Sequence, residues 1–112
     1  MAKDIVIRGG EISEKSFAKK ADEYTTQDVL TDLSVYVGKV DGIDSKHEKE
    51  IVEIAKGYTG STISVVDKKH FPATAKFKKD TSTAKPCHHL LSGISIEDAV
   101  KIFKNNSKRF ST

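Results

Sequence analysis

The chain has 112 residues, a formal net charge of +3 and 37% apolar side chains, enough for one modest hydrophobic core. Charged residues make up 31% of the chain and carry both signs, which disfavours intrinsic disorder. No apolar run is long enough to span a bilayer, and we expect no secretion signal near Met1. The single cysteine excludes an internal disulfide and favours a reducing compartment, so we expect a cytoplasmic protein.

The net charge is divided unevenly along the chain. Residues 1–56 carry a net charge of −3 and residues 57–112 carry +6, with six lysines in the stretch that begins at Lys68 and ends at Lys85. A basic half favours an anionic partner, such as nucleic acid, a phosphorylated ligand or an acidic neutralising protein. A lysine-rich loop that is simply solvated explains the same pattern, and both interpretations stay open.

Two short segments near the N-terminus have the pattern of strands. Asp4–Arg8 is rich in β-branched residues and stops at Gly9-Gly10, so Val6 and Arg8 should share one face of a sheet. Leu33–Val37 alternates strictly, which predicts that Ser34 and Tyr36 lie on its polar outer face.

Three serines mark the starts of predicted helices. Ser13 precedes a helix that carries Phe17, Ala18 and Ala21 on one side, and Ser45 forms an S-x-x-E capping box with Glu48. Ser95 caps a final helix whose apolar stripe is spaced i, i+3, i+4, i+7.

We therefore predict one domain over residues 1–112, with residues 105–112 as a frayed tail. Its expected class is α/β of the α+β type, with a mainly antiparallel or mixed sheet and about three helices. The expected order of elements is β-α-β-α-β-(β)-β-α.

Three groups outside the predicted core carry side chains suited to chemistry. Arg8 lies at a strand end beside two glycines, where a guanidinium can bind phosphate. Ser34 and Tyr36 place two hydroxyls on one strand face. His70 lies in a lysine-rich loop and could act as a general base. For each group, an ordinary surface or loop position is the alternative.

The Cys87-His88-His89 cluster is a weak candidate for metal binding. Adjacent residues of a strand point to opposite faces, and structural zinc sites use separated ligand pairs. A His-His pair also resembles the ββα-metal nucleases, but the helix that follows here has no histidine and ends in Asn105-Asn106. We predict no metal site, and Cys87 is expected to be a small core residue.

Taken in order, several short motifs resemble small bacterial toxins of the ADP-ribosyltransferase-like group. These motifs are Ile7-Arg8-Gly9 in the first strand, Leu33-Ser34-Val35-Tyr36 in the second, and His88-His89-Leu90-Leu91 late in the chain. The resemblance implies an ADP-ribosyltransferase-like fold and NAD as the substrate. Such toxins act in toxin–antitoxin pairs or as secreted antibacterial effectors, which reach the cytoplasm of a target cell.

The resemblance also implies roles for individual residues. Arg8, with Gly9 and Gly10, would hold the pyrophosphate or ribose of NAD, because a planar guanidinium grips phosphate in a bidentate way. Ser34 and Tyr36 would form the nicotinamide pocket, and His88 would be the late catalytic residue beside Arg8 and Ser34. The segment from Pro86 to Gly93 lacks the glutamate that normally stabilises the oxocarbenium-like transition state. Either a glutamate elsewhere reaches the site, or His88 takes over this role, or the domain binds its ligand without this chemistry.

Three functional hypotheses follow. The first is an ADP-ribosyltransferase-like toxin, in which Arg8, Ser34 and His88 converge on one cleft. The second is a ribonuclease-type toxin that uses His70, Lys76 or the His88-His89 pair within the basic half. The third is a non-enzymatic module that binds an acidic partner, and whose association depends strongly on salt.

Overall fold

The computed structural model describes residues 2–18 and 23–112, so the predicted helical position Ala21 lies outside the described residues. This part of the chain forms six strands and three helices. The strands are β1 (Lys3–Gly9), β2 (Leu33–Val40), β3 (Thr62–Asp67), β4 (Lys76–Lys79), β5 (His88–Ser92) and β6 (Lys108–Ser111). The helices are α1 (Glu14–Phe17), α2 (Glu48–Ile54) and α3 (Ile96–Asn106), and short 3-10 turns occupy Ser45–His47 and Lys68–His70.

The six strands form one sheet in the order β4-β5-β2-β1-β3-β6, and every neighbouring pair is antiparallel. The predicted α+β class is therefore confirmed, and the sheet is antiparallel rather than mixed. Because β1 and β2 run in opposite directions, the end of β1 lies beside the start of β2. Antiparallel pairing also determines which strand ends meet at the other end of the sheet. They are the start of β1, the end of β3 and the start of β6.

Both faces of the sheet are covered, which gives two hydrophobic clusters. Helices α1 and α3 pack on the first face, where Val6, Phe17, Val35, Leu91 and Phe103 are buried. Helix α2 covers the second face, where Ile5, Ile7, Tyr36, Ile51 and Phe110 are buried. Side chains of β1 alternate between the two clusters, as predicted for Ile5 and Ile7 against Val6.

Helix α2 changes the predicted environment of Tyr36. The alternation in β2 predicts a polar outer face, yet Tyr36 is only 5% exposed, because that face packs in the second cluster. Ser34, two residues earlier, remains exposed. An alternating pattern identifies which residues share a face, but it does not show whether a helix covers the polar one.

Three local expectations are corrected by the hydrogen bonding. Helix α1 ends at Phe17, since Ala18 is already extended. Asp44 rather than Ser45 caps the turn that leads into α2, because its carboxylate accepts the Lys46 N–H. The C-terminal segment is not a frayed tail: α3 continues to Asn106, and β6 pairs with β3 and buries Phe110.

Candidate functional site

Arg8 is placed by strand alternation on the first face of the sheet, near the end of β1. Helix α1 lies next to it, because the capping box at Ser13 fixes the start of that short helix. The guanidinium carbon of Arg8 lies 5.4 Å from the centroid of the Phe17 ring, within range of a cation–π interaction. The aromatic ring therefore supports the charged group from one side.

Two backbone carbonyls orient the guanidinium of Arg8. Nη1 donates to the Ser34 carbonyl oxygen at 2.8 Å, and Nη2 donates to the Ser16 carbonyl oxygen at 3.3 Å. These bonds use two of the five N–H groups of the side chain. Nε is buried and has no hydrogen-bond partner among the described residues. The side chain is thus fixed in place while part of its donor capacity stays unused.

A cavity of about 540 Å³ opens beside Arg8, and we call it the Arg8 pocket. It is lined by Arg8, residues 16–18, residues 23–24, residues 28–34 and Ile96. Its volume lies within the usual range for small-molecule sites, roughly 300–1,000 Å³. Tyr24 and Val29 at this pocket are the large apolar side chains that the described part of the chain leaves exposed.

One wall of the Arg8 pocket is irregular backbone that is held against the start of α3. Leu30 N donates to the Ile94 carbonyl at 2.7 Å, and Gly93 N donates to the Leu30 carbonyl at 3.2 Å. Ile96 N then donates to the Asp28 carbonyl at 2.9 Å. This ladder explains how a segment without regular secondary structure keeps a defined position.

The Arg8 pocket contains charges of both signs. Burial lowers the pKa of Arg8, with a smaller opposing effect from Tyr58, but a guanidinium stays charged at any physiological pH. Glu23, Asp28 and Asp32 also line the pocket. The N–H and hydroxyl of Thr25 bind the Asp28 carboxylate and lower its pKa. None of the three forms an ion pair with Arg8 among the described residues.

His88 and Tyr36 lie on the second face of the sheet, away from the side chain of Arg8. Tyr36 is the register partner of both Ile7 and His88, so these three side chains share a face that Arg8 does not. The expected convergence of Arg8, Ser34 and His88 on one cleft is therefore wrong. Arg8 and Ser34 do meet, but through the backbone carbonyl of Ser34.

The surroundings of His88 are those of a buried structural histidine. Its Nδ1 lies 2.9 Å from Oδ2 of Asp80, and its ring packs edge-on against Tyr36 at 5.4 Å. The side chain of Ser82 also donates to Asp80, and this is the main cause of the lowered pKa of that carboxyl. With only 7% of its surface exposed, His88 cannot approach a large substrate.

Gly9 and Gly10 do not line the Arg8 pocket. A Cβ at Gly9 would overlap with the ring of Tyr58, so this glycine makes room for an aromatic side chain. Gly10 has a φ of +82°, a conformation that side-chain-bearing residues rarely adopt. The structure therefore explains Gly9 by packing and Gly10 by its backbone conformation.

The remaining candidates are dispersed. His89 Nδ1 lies 2.8 Å from the carbonyl oxygen of Cys87, and His70 is exposed at a different end of the sheet. Within residues 2–18 and 23–112, no three side chains of His, Cys, Asp or Glu are grouped so that they could hold a metal ion.

Sequence reasoning missed most of the Arg8 pocket. Ser16 contributes a carbonyl, which any residue type provides, so its identity carries no signal. The Thr25–Asp28 pair is the one detectable feature, because Thr followed by Asp three residues later is typical of a local side-chain cap.

Comparisons of the chain with protein-family models, with curated proteins and with solved structures found no match. Among the described residues, no helix has the length and apolar character needed to cross a membrane.

Proposed function

We propose that this domain binds NAD or a related phosphorylated nucleotide in the Arg8 pocket, as a toxin domain of the ADP-ribosyltransferase type whose site uses Arg8 and the Ser34 backbone without His88. The observation that carries the proposal is the fixed, partly buried guanidinium of Arg8 beside a cavity of about 540 Å³. The sequence resemblance supports the choice of ligand, because Arg8 and Ser34 are two of its motif residues.

The unpaired N–H groups of Arg8 favour an anionic group directly beside that side chain, in a pocket whose lining has one arginine against three carboxylates. Transfer of a charge away from water is costly unless an opposite charge or strong acceptors compensate it. Arg8 has two carbonyl acceptors but no carboxylate partner among the described residues. A phosphate at its remaining N–H groups would supply both the opposite charge and the acceptors.

The apolar side chains of the pocket suit the other parts of such a ligand. Tyr24 and Val29 are 36% and 61% exposed, and both lie at the Arg8 pocket. Exposed apolar groups beside a cavity are typical of ligand sites. A nucleotide base that packs on them would remove this apolar surface from water.

Carboxylates of the pocket offer a replacement for the glutamate that the late strand lacks. Cleavage of the nicotinamide–ribose bond develops positive charge on the ribose, which a nearby carboxylate stabilises. Glu23 and Asp32 line the Arg8 pocket, whereas the carboxylate of Asp28 is already engaged by Thr25. We therefore assign this role to Glu23 or Asp32 and withdraw it from His88.

The biological setting belongs to the same proposal. NAD is abundant in the cytoplasm, so a toxin of this type would act there. The net charge of +6 on residues 57–112 favours an acidic neutralising protein as the partner.

Calorimetric titration of the purified chain with NAD, ADP-ribose and nicotinamide tests the binding step. We expect NAD and ADP-ribose to bind, and Arg8→Ala to weaken both by about tenfold or more, since a charge-assisted hydrogen bond contributes roughly 1.5–3 kcal/mol. Arg109→Ala removes the other arginine of the chain, which is exposed outside the pocket, and should leave the affinity unchanged.

Equal effects of the two arginine variants, or no binding of NAD and ADP-ribose, would refute the proposal. Chromatographic detection of released nicotinamide then separates an enzyme from a binding module. In an enzyme, Glu23→Gln or Asp32→Asn should slow release by about 100-fold or more while NAD still binds.

A further inference from the structure

A second cavity lies at the end of the sheet opposite the Arg8 pocket. The antiparallel order brings the start of β1, the end of β3 and the start of β6 together there. The groove between them has a volume of about 370 Å³, and we call it the lysine groove. It is lined by Lys3, Ile43, Asp67, Lys69, His70 and residues 106–108.

Lysines from three distant parts of the sequence converge on this groove. Lys3 comes from the acidic half of the chain, whereas Lys69 and Lys108 come from the basic half. All three are exposed, and none forms an ion pair within the described ranges. Asp67 is the only acidic side chain among the lining residues, and its carboxylate accepts the Lys69 N–H at 3.0 Å. The groove therefore carries a net positive charge.

We propose that the lysine groove binds the phosphate backbone of single-stranded nucleic acid. Unpaired lysines in a concave surface attract a polyanion and release its counterions. The cavity has room for a nucleotide rather than for a duplex, and the exposed His70 provides a flat ring on which a base can stack. This proposal concerns a site separate from the Arg8 pocket and does not depend on NAD binding.

Fluorescence anisotropy with a labelled strand of about twelve thymidines tests the proposal, because DNA lacks the 2′-hydroxyl and cannot be cleaved through it. The groove variant is Lys3→Gln/Lys69→Gln/Lys108→Gln. At about 50 mM salt we expect it to bind at least tenfold more weakly than the unaltered chain. The slope of log K against log salt should shrink by about 2, since each phosphate contact on a single strand contributes about 0.7.

The control variant is Lys76→Gln/Lys78→Gln/Lys79→Gln on β4, at the far lateral edge of the sheet. It removes the same charge, so an equal loss of affinity in both variants would overturn the proposal, as would no binding by the unaltered chain. Tighter binding to a duplex of the same length, or equal competition by polyglutamate, would also overturn it. Unchanged NAD affinity in the groove variant keeps this result distinct from the test of the Arg8 pocket.

Discussion

The ring of Tyr58 lies where the side chains of two glycines would be. A Cβ at Gly9 or at Gly60 would overlap with that ring, so both positions are restricted by packing. Gly9 lies in β1 and its φ is not positive, which means that backbone strain does not require a glycine there. Packing against Tyr58 on the second face of the sheet therefore explains why Gly9 follows Arg8, and no ligand is needed to explain it.

Gly9→Ala should destabilise the fold by roughly 1–3 kcal/mol, the usual cost of an added group in a packed core. In a Tyr58→Ala background the same substitution should cost close to nothing, because the obstructing ring is absent. Urea unfolding of the unaltered chain, the two single variants and the double variant measures the cost of Gly9→Ala in each background. An equal cost in both backgrounds would contradict the packing explanation. A selective loss of NAD affinity without loss of stability would instead support the cofactor-binding role first expected for Gly9.

At the scale of elements, β6 shows how a short polar segment becomes part of the sheet. Lys108–Ser111 pairs with Thr62–Val65 of β3, and Phe110 lies opposite Ile63 in the second cluster. Its exposed lysine and arginine protect this edge strand from pairing with other chains. One buried aromatic side chain therefore ties the C-terminus to the fold.

Phe110→Ala should reduce the free energy of unfolding by about 3 kcal/mol, the lower end of the range for a buried phenylalanine, because this strand lies at an edge. Lys108→Ala on the same strand should change it by less than about 0.5 kcal/mol, as expected for an exposed side chain. Denaturant midpoints of the unaltered chain and of the two variants test this difference in stability. Similar small effects of both substitutions would mean that the segment frays in solution.

Regular elements could be predicted where the sequence repeats a period. A β-branched run that stops at two glycines defines Ile5–Ile7, and alternation defines Leu33–Val35. The Ser95 cap with the stripe from Ile96 to Phe103 defines α3, whose Asp98 N–H does bind Ser95. The segment Lys108–Ser111 is too short to show a period, and its strand depends on pairing with β3. Arg8 could be predicted as a candidate, but its pocket arises from tertiary contacts between irregular segments, which no local pattern encodes.

Over the whole molecule, charges of opposite sign collect at the two ends of one sheet. The Arg8 pocket combines one arginine with three carboxylates, whereas the lysine groove combines three lysines with one carboxylate. The division does not follow the halves of the sequence, since Lys3 belongs to the acidic half yet lines the basic groove. Antiparallel pairing of β1 with β3 places Lys3 at the same end of the sheet as Lys69.

Several carboxyl groups with lowered pKa values make the stability of the whole domain depend on pH. The Ser82 hydroxyl and N–H lower the pKa of Asp80, with a further contribution from His88, and the His47 side chain lowers that of Asp44. The Thr25 N–H lowers the pKa of Asp28, and Lys101 lowers that of Glu97. A carboxyl with a lowered folded-state pKa stabilises the fold above its unfolded-state pKa, and this stabilisation is lost as pH falls through the folded-state pKa.

The urea midpoint should therefore stay level from about pH 7 to about pH 5 and fall towards about pH 3, since unperturbed carboxyls titrate near 4. Asp80→Asn removes the carboxyl between β4 and β5. This variant should be less stable than the unaltered chain at neutral pH, and its urea midpoint should fall less on acidification. Asp41→Asn alters an exposed carboxyl that accepts no hydrogen bond from the described residues, and its acid profile should match that of the unaltered chain. Parallel acid profiles for all three chains would show that Asp80 does not contribute to the pH dependence.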